Sequence, residues 1–182
     1  ALALQRLVED LQDLSLADAG ELRLARVPTD AGLALRTAAT AIEPVYRAAG
    51  VSLEVESSRP LPLVYADPVR LGQVLRNLLE NAAAHTPRGG RVRLGAEAVK
   101  GGVEIAVSDT GEGIPPEAIE RIFERFWRVD PSRTRATGGT GLGLAILRSL
   151  VVAHGGSVAV ESAPGQGSTF RVLWPSSNRH GA

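Results

Sequence analysis

Three stretches of the 182-residue sequence hold residues that a plain core would not choose. The first is RNLLENAAAH, residues 76–85, where Asn77 and Asn81 stand one helical turn apart. Gln73 lies one turn before them and His85 one turn after, beside a leucine-rich stripe of Leu71, Val74, Leu75, Leu78 and Leu79. A buried amide without a partner costs about 1–3 kcal/mol, so this edge either meets water or meets something bound. An asparagine oxygen is neutral and can ligate a hard cation without matching its full charge, which suits a magnesium ion already held by phosphates. The alternative is an ordinary solvated helix edge.

The second stretch is VSDTGEGIP, residues 107–115. Val103, Ile105 and Val107 alternate as one face of a strand, and Asp109 arrives where that strand gives way to a turn through Gly111 and Gly113. A carboxylate there can accept a hydrogen bond from an exocyclic amine. Adenine carries one at its six position and guanine a carbonyl, so an aspartate would discriminate by leaving mismatched acceptors unpaired. An unremarkable Asp-Thr-Gly turn is the competing account. The third stretch, GGTGLGLAI (138–146), sets Gly139, Gly141 and Gly143, with Thr140 and Leu142 between them, at a helix start. Free N–H groups and the helix dipole bind phosphate at such a point. No Gly-Lys-Ser/Thr follows, so it is not a Walker loop, and the hydrophilic DPSRTRATGG ahead of it stands where a dinucleotide-binding fold needs a buried strand.

These residues need elements to position them. Leu4, Leu7, Leu11 and Leu14 repeat at 3-4-3 spacing, a narrow stripe for another helix or for packing on the chain's own domain, and Gly20 can end that helix. Thr29 or Asp30 can cap a second helix with Leu35, Ala38, Ile42, Val45 and Ala49 on one face and Pro44 inside. VSLEVE and LPLVYA read as strands. Asp67 caps and Pro68 opens the asparagine-bearing helix, which runs to about Ala84. RVRLGAEA and VEIAVSD form a hairpin, PPEAIERIFERF a short helix, residues 128–140 a polar loop, GLGLAILRSLVVAHGG a helix, and SVAVES and TFRVLW a last hairpin. The fold class is α+β: a two-layer sandwich whose mixed sheet is covered by helices on one face, preceded by a helical segment.

Composition narrows the possibilities. Twenty basic and twenty acidic residues cancel, so nucleic acid is not an expected partner. The lack of cysteine removes disulfides and thiolate metal sites. No apolar run approaches the roughly 18 residues of a membrane span. The sequence has no methionine, so it reads as a piece of a longer chain, expected in the cytoplasm and compatible with a membrane anchor upstream.

In this order, LGQVLRNLLENAAAHT, SDTGEGIPPEAIERIFERFWRVD and TGGTGLGLAI resemble the N, G1, F and G2 boxes of the histidine kinase ATP-binding domain, within the gyrase-type ATPases of the Bergerat fold. LVEDLQDLSLADAGELRL is similar to the distal part of the second helix of those kinases' dimerisation and phosphoacceptor hairpin. The resemblance implies a dimerisation-helix end over 1–22, a linker over 23–30, a catalytic domain over 31–175 and a tail over 176–182. Its N box would be 71–85, G1 box 107–115, F box 122–128, lid 129–140 and G2 box 138–146.

The roles it implies are these. Asn81 would coordinate magnesium, with Asn77 beside it near the phosphates. His85 would lie against the base, Asp109 would bind the adenine amine, and Gly111 and Gly113 would shape that pocket. Gly139, Gly141 and Gly143 would open the lid and meet the phosphates, with Thr140 and Leu142 in the same segment. Arg128 would offset charge on the terminal phosphate. Phe123 and Phe126 are expected to pack, and Arg133 and Arg135 to be solvated. The resemblance also implies ATP and Mg2+ as ligands, a histidine on the upstream domain of the same or a partner subunit as acceptor, a response regulator as the next partner, and a homodimer.

Gyrase-type hydrolases hold a glutamate one turn before the metal-binding asparagine. Asn77 stands there instead, and an amide is no general base. Two departures remain. Ala84 replaces the basic residue common before the aromatic or histidine, which implies one phosphate contact fewer. None of His85, His154 and His180 sits in a helical His-Glu or His-Asp setting, so the acceptor is expected upstream. An ATP-hydrolysing protein of the same fold and a non-catalytic nucleotide-sensing or dimerisation module are the rival readings.

Overall fold

Asp67 and Pro68 start the helix that carries both asparagines. The Asp67 side chain accepts from the amides of Val69 (2.9 Å) and Arg70 (3.3 Å), and Pro68 fills a position whose N–H would have no partner. The computed structural model describes residues 2–56, 60–127 and 140–176. In chain order its elements are α1 (Leu2–Asp18), β1 (Val27–Thr29), α2 (Ala31–Ala49), β2 (Ser52–Glu56), β3 (Val64–Ala66), α3 (Pro68–His85), β4 (Arg91–Val99), β5 (Gly102–Asp109), two 3-10 turns (Pro116–Ala118 and Arg121–Phe123), α4 (Gly143–Ala153), β6 (Ser157–Ser162) and β7 (Ser168–Pro175).

The main sheet has the order β2-β4-β5-β7-β6, antiparallel except for the parallel β2–β4 pair. Its inner face is a period-two row on each strand: Val92 and Leu94, then Val103, Ile105 and Val107, then Phe170, Val172 and Trp174, all buried. Register locks these rows together, with Val103 opposite Trp174, Ile105 opposite Val172 and Val107 opposite Phe170. Leu71, Val74, Leu75, Leu78 and Leu79 of α3, with Leu147, Leu150 and Val151 of α4, close the same core. Tyr46 of α2 is buried as well, and its hydroxyl donates to the carbonyl of Leu79 (2.9 Å). The opposite face of the sheet carries ion pairs such as Arg93–Glu54 and Arg171–Glu104. This is the expected α+β sandwich.

Local differences have physical causes. Asp30, not Thr29, caps α2 by accepting from Leu33 N (3.0 Å). The segment expected as a linker contains β1, which pairs with β3 as a separate two-stranded sheet. Three residues are too few for alternation to register. PPEAIERIFERF forms two 3-10 turns instead of a short helix. Neither turn has a side-chain cap, and each is a single turn, too short to propagate.

The leucine stripe of α1 divides. Leu14 is 2% exposed and belongs to the domain core, with Leu7 half-buried against it, whereas Val8 (57%) and Leu11 (41%) face solvent. Polar contacts fix the docking: Asp13 accepts from both Arg70 guanidinium ends, at 2.5 and 2.9 Å, and from Gln73 Nε2 (3.3 Å), while Asp18 pairs with Arg125. Leu14→Ala is therefore expected to destabilise the chain by about 2–4 kcal/mol in urea unfolding, against under about 0.5 kcal/mol for Leu11→Ala in the monomer. Equal losses would mean that α1 does not dock by this face.

Candidate nucleotide-binding site

Asp109 is the last residue of β5: it extends the inward row of that strand, two residues beyond Val107, so its carboxylate enters the helix-covered side of the sheet at the strand's end. It is 9% exposed, and its Oδ1 accepts from the amides of Gly111 (2.8 Å) and Ser168 (3.3 Å). Burial pushes its carboxyl above the ordinary 3.8; those two amides and His85 pull it down, and Glu112 pushes it up. Both bonds fall on Oδ1. Oδ2 takes part in neither and remains the acceptor that an exocyclic amine would need.

The turn between β6 and β7 holds this end in place, and sequence reasoning missed it. Ser162 Oγ accepts from Ile114 N (2.8 Å), Gly165 N donates to the Glu112 carbonyl (2.7 Å), and Ser168 N reaches Asp109. The two loops interlock through glycines. A Cβ on Gly113 would lie 1.9 Å from the Ala163 carbonyl oxygen, and one on Gly167 1.9 Å from the Asp109 carbonyl oxygen; both residues have positive φ. APGQG reads only as a hairpin turn until the β5–β7 register puts Ser168 opposite Asp109.

The polar edge of α3 forms a second wall, though not as one unit. Gln73 is buried and faces α1. Asn77 Nδ2 donates to the Gly143 carbonyl (3.0 Å), which ties the edge to α4. Asn81 is half-buried, and its amide makes no hydrogen bond among the described residues. His85 is exposed at the rim, 2.9 Å from Glu112 through Nδ1, a pair open enough to water to contribute little.

The start of α4 forms the third wall. The first intrahelical bond runs from Ile146 N to the Leu142 carbonyl, and among the described residues no side chain caps the helix. The amides of Gly143, Leu144 and Ala145 thus lack helical acceptors and can serve an anion. Leu142 is fully buried, so only its backbone is available; Thr140 is exposed and accepts from Leu142 N (3.3 Å). Gly141, at φ 73°, accepts from Phe126 N through its carbonyl (3.0 Å). Phe123 is partly buried in the core as expected, but Phe126 is 61% exposed and does not pack. Arg128, Gly139, Arg133 and Arg135 lie outside the described residues.

The donor set fits a magnesium ion brought by phosphates. Asn81 offers an uncommitted amide on the edge facing the α4 amides, and among the described residues no cluster of three or more His, Cys, Asp or Glu forms a cage of its own. A buried carboxylate at a strand end, an amide-bearing helix edge and a helix N-terminus with free amides thus stand on the helix-covered side of one mixed sheet. The chain belongs to the family described as histidine kinase-, DNA gyrase B-, and HSP90-like ATPase, whose model matches residues 66–178. It is 41% identical over 182 residues to the sensor protein DivL of Caulobacter vibrioides, covering all of this chain and 23% of DivL. Among solved structures it resembles full-length ShkA in complex with AMPPNP, with a TM-score of 0.83, 38% identity and coverage of 94% of this chain and 35% of ShkA. It also resembles the histidine kinase ThkA in complex with the response regulator protein TrrA, with a TM-score of 0.75, 25% identity and coverage of 96% and 48%. The chain thus spans about a quarter of DivL's length. Among the described residues no helix is long and apolar enough to cross a membrane.

Because Gly167 must admit the Asp109 carbonyl, Gly167→Ala is expected to destabilise the domain by about 1–3 kcal/mol and to weaken ATP binding with it. Thermal unfolding and calorimetry check this, and a wild-type affinity would show that the interlock does not shape the pocket.

Proposed function

We propose that this chain is the kinase region of a sensor histidine kinase that transfers the γ-phosphoryl of Mg-ATP to a histidine on an upstream dimerisation domain, for relay to a response-regulator aspartate. The observation that carries it is Asp109, a buried carboxylate at a strand end whose hydrogen bonds among the described residues fall on Oδ1 alone, on the side of the sheet covered by α3 and α4. The AMPPNP complex of ShkA and the regulator complex of ThkA support nucleotide and partner respectively.

Asp109 accepts from the adenine amine, and Gly111 and Gly113 keep the turn open beneath the ring. Asn81 would hold a magnesium ion, which would supply positive charge against the phosphates. The amides of Gly143, Leu144 and Ala145 receive phosphate oxygens, and Arg128 and Gly139 serve the same end. The acceptor imidazole attacks the γ-phosphorus in line; the new N–P bond forms as the bond to the β–γ bridging oxygen breaks, and ADP leaves. Positioning and charge compensation supply most of the catalysis. Asn77 offers no carboxylate to activate water, and its Nδ2 is already committed to Gly143, so hydrolysis is slow.

Residues 1–22 are read as the end of the dimerisation helix. Its exposed Val8 and Leu11 provide the apolar side for the rest of a hairpin in a homodimer. The region works in the cytoplasm, where ATP and the regulator are found.

Calorimetry is expected to show ATP binding strengthened by magnesium. Asn81→Ala should abolish the strengthening, and Asp109→Ala should abolish binding. Incubated alone with γ-labelled ATP, the chain should stay unlabelled; mixed with a helical segment bearing the acceptor histidine, it should label that segment. Label on the chain itself, or steady multiple-turnover phosphate release, would overturn the assignment.

A further inference from the structure

His154 is 2% exposed, and neither of its ring nitrogens belongs to the site described above. Nδ1 lies 2.7 Å from the Leu150 carbonyl, one turn back on α4, and Nε2 lies 3.1 Å from the backbone nitrogen of Asp67. A carbonyl only accepts and an amide only donates, so these partners specify the neutral ring with its proton on Nδ1. Asp67 is the cap of α3, and its Oδ2 also accepts from Ala25 N (3.0 Å). The end of α4 is therefore bonded to the beginning of α3.

A second tie joins the start of α4 to the middle of α3, where Asn77 Nδ2 donates to the Gly143 carbonyl. The helices run antiparallel. The ties are ten residues apart on α3 and eleven on α4, about 15 Å and 16.5 Å at helical rise. Leucine packing sets the distance between two helices but allows neighbouring registers, because ridges repeat along each axis. Directed hydrogen bonds do not repeat in this way. We infer that His154 is a positioning residue that pins α4 lengthwise against α3, and so fixes the α4 N-terminal amides at the separation from Asn81 that a magnesium-bound triphosphate requires. The inference rests on the nucleotide reading for what the separation serves.

The surroundings favour this state. Burial holds the imidazole below its ordinary 6.5; the Leu150 carbonyl draws it up, Arg26 of the linker pushes it down, Asp67 draws it up and Arg70 of α3 pushes it down. From β7, Trp174 meets the ring edge-on at 4.5 Å. Since the folded pKa is depressed, the tie is intact above pH 6.5. Stability is lost as pH falls below 6.5 toward the folded value, because the unfolded chain takes the proton first.

The test compares His154→Gln, whose carbonyl can still accept from Asp67 N, with His154→Phe, which fills the space without an acceptor. The readout is the magnesium increment, the gain in ATP affinity when magnesium is added, set against affinity for adenosine, which reaches only the Asp109 end. His154→Phe should lose the increment by about tenfold while adenosine affinity stays within about twofold. His154→Gln should keep both, and should lack the wild type's decline in increment and thermal stability below pH 6.5. If His154→Phe does not fold, the pH comparison of wild type with His154→Gln decides. An increment retained in His154→Phe, equal losses for adenosine and ATP, or the same acid decline in His154→Gln would overturn the pin. The NMR shift of the Asn77 side-chain amide reads the register without nucleotide: it should move in His154→Phe and stay in His154→Gln. A wild type with no magnesium increment would sink the nucleotide reading instead, and this shift would still decide the pin.

Discussion

The structure depends on α3 being buried along one stripe and polar along the adjoining edge. The stripe must dock on the sheet and on α4, because Leu71, Leu75, Leu78 and Leu79 are almost wholly removed from water. That docking fixes the rotation of the helix, and the rotation in turn decides where every amide on the edge points. Gln73 meets α1, Asn77 meets α4, and Asn81 is left without a hydrogen-bond partner among the described residues. A slip of one residue would turn the edge by about 100° and put amides into the core, so the apolar face enforces the polar one.

Much of this architecture was legible because two periodicities are written plainly. The β5 row of Val103, Ile105 and Val107 announces a half-buried strand and makes Asp109 its terminal inward residue. Likewise the cap at Asp67 with Pro68 marks the start of α3 to the residue. Asn77, Asn81, Asp109 and Gly143 could be singled out because their types disagree with their surroundings. The F-box region misled for the reverse reason: Ile119, Ile122 and Phe123 keep helical spacing, yet the segment is too short to hold a helix without caps.

What stayed hidden depends on partners distant in sequence. Ser168 is an ordinary turn residue until strand pairing sets its amide against Asp109, and His154 is an ordinary helix-end residue until Asp67 arrives 87 positions away. The split of the α1 stripe is of the same kind. Leu11 and Leu14 are equivalent in a heptad, and only the Asp13–Arg70 pair, joined by Gln73, shows which of them faces inward. Spacing reports the existence of a face, but not which neighbour claims it.

Besides Ser162 Oγ and the Asp109 carboxylate, the interlocked turns meet through main-chain atoms. Backbone oxygen and nitrogen are the same in every residue, so a small inhibitor resting on the carbonyls of Ala163 and Glu112 would touch nothing that a codon change can alter directly. The two positions where a new side chain could push it out, Gly113 and Gly167, are the ones where any side chain collides with the pocket itself. A substitution there would loosen the pocket together with whatever rests on it.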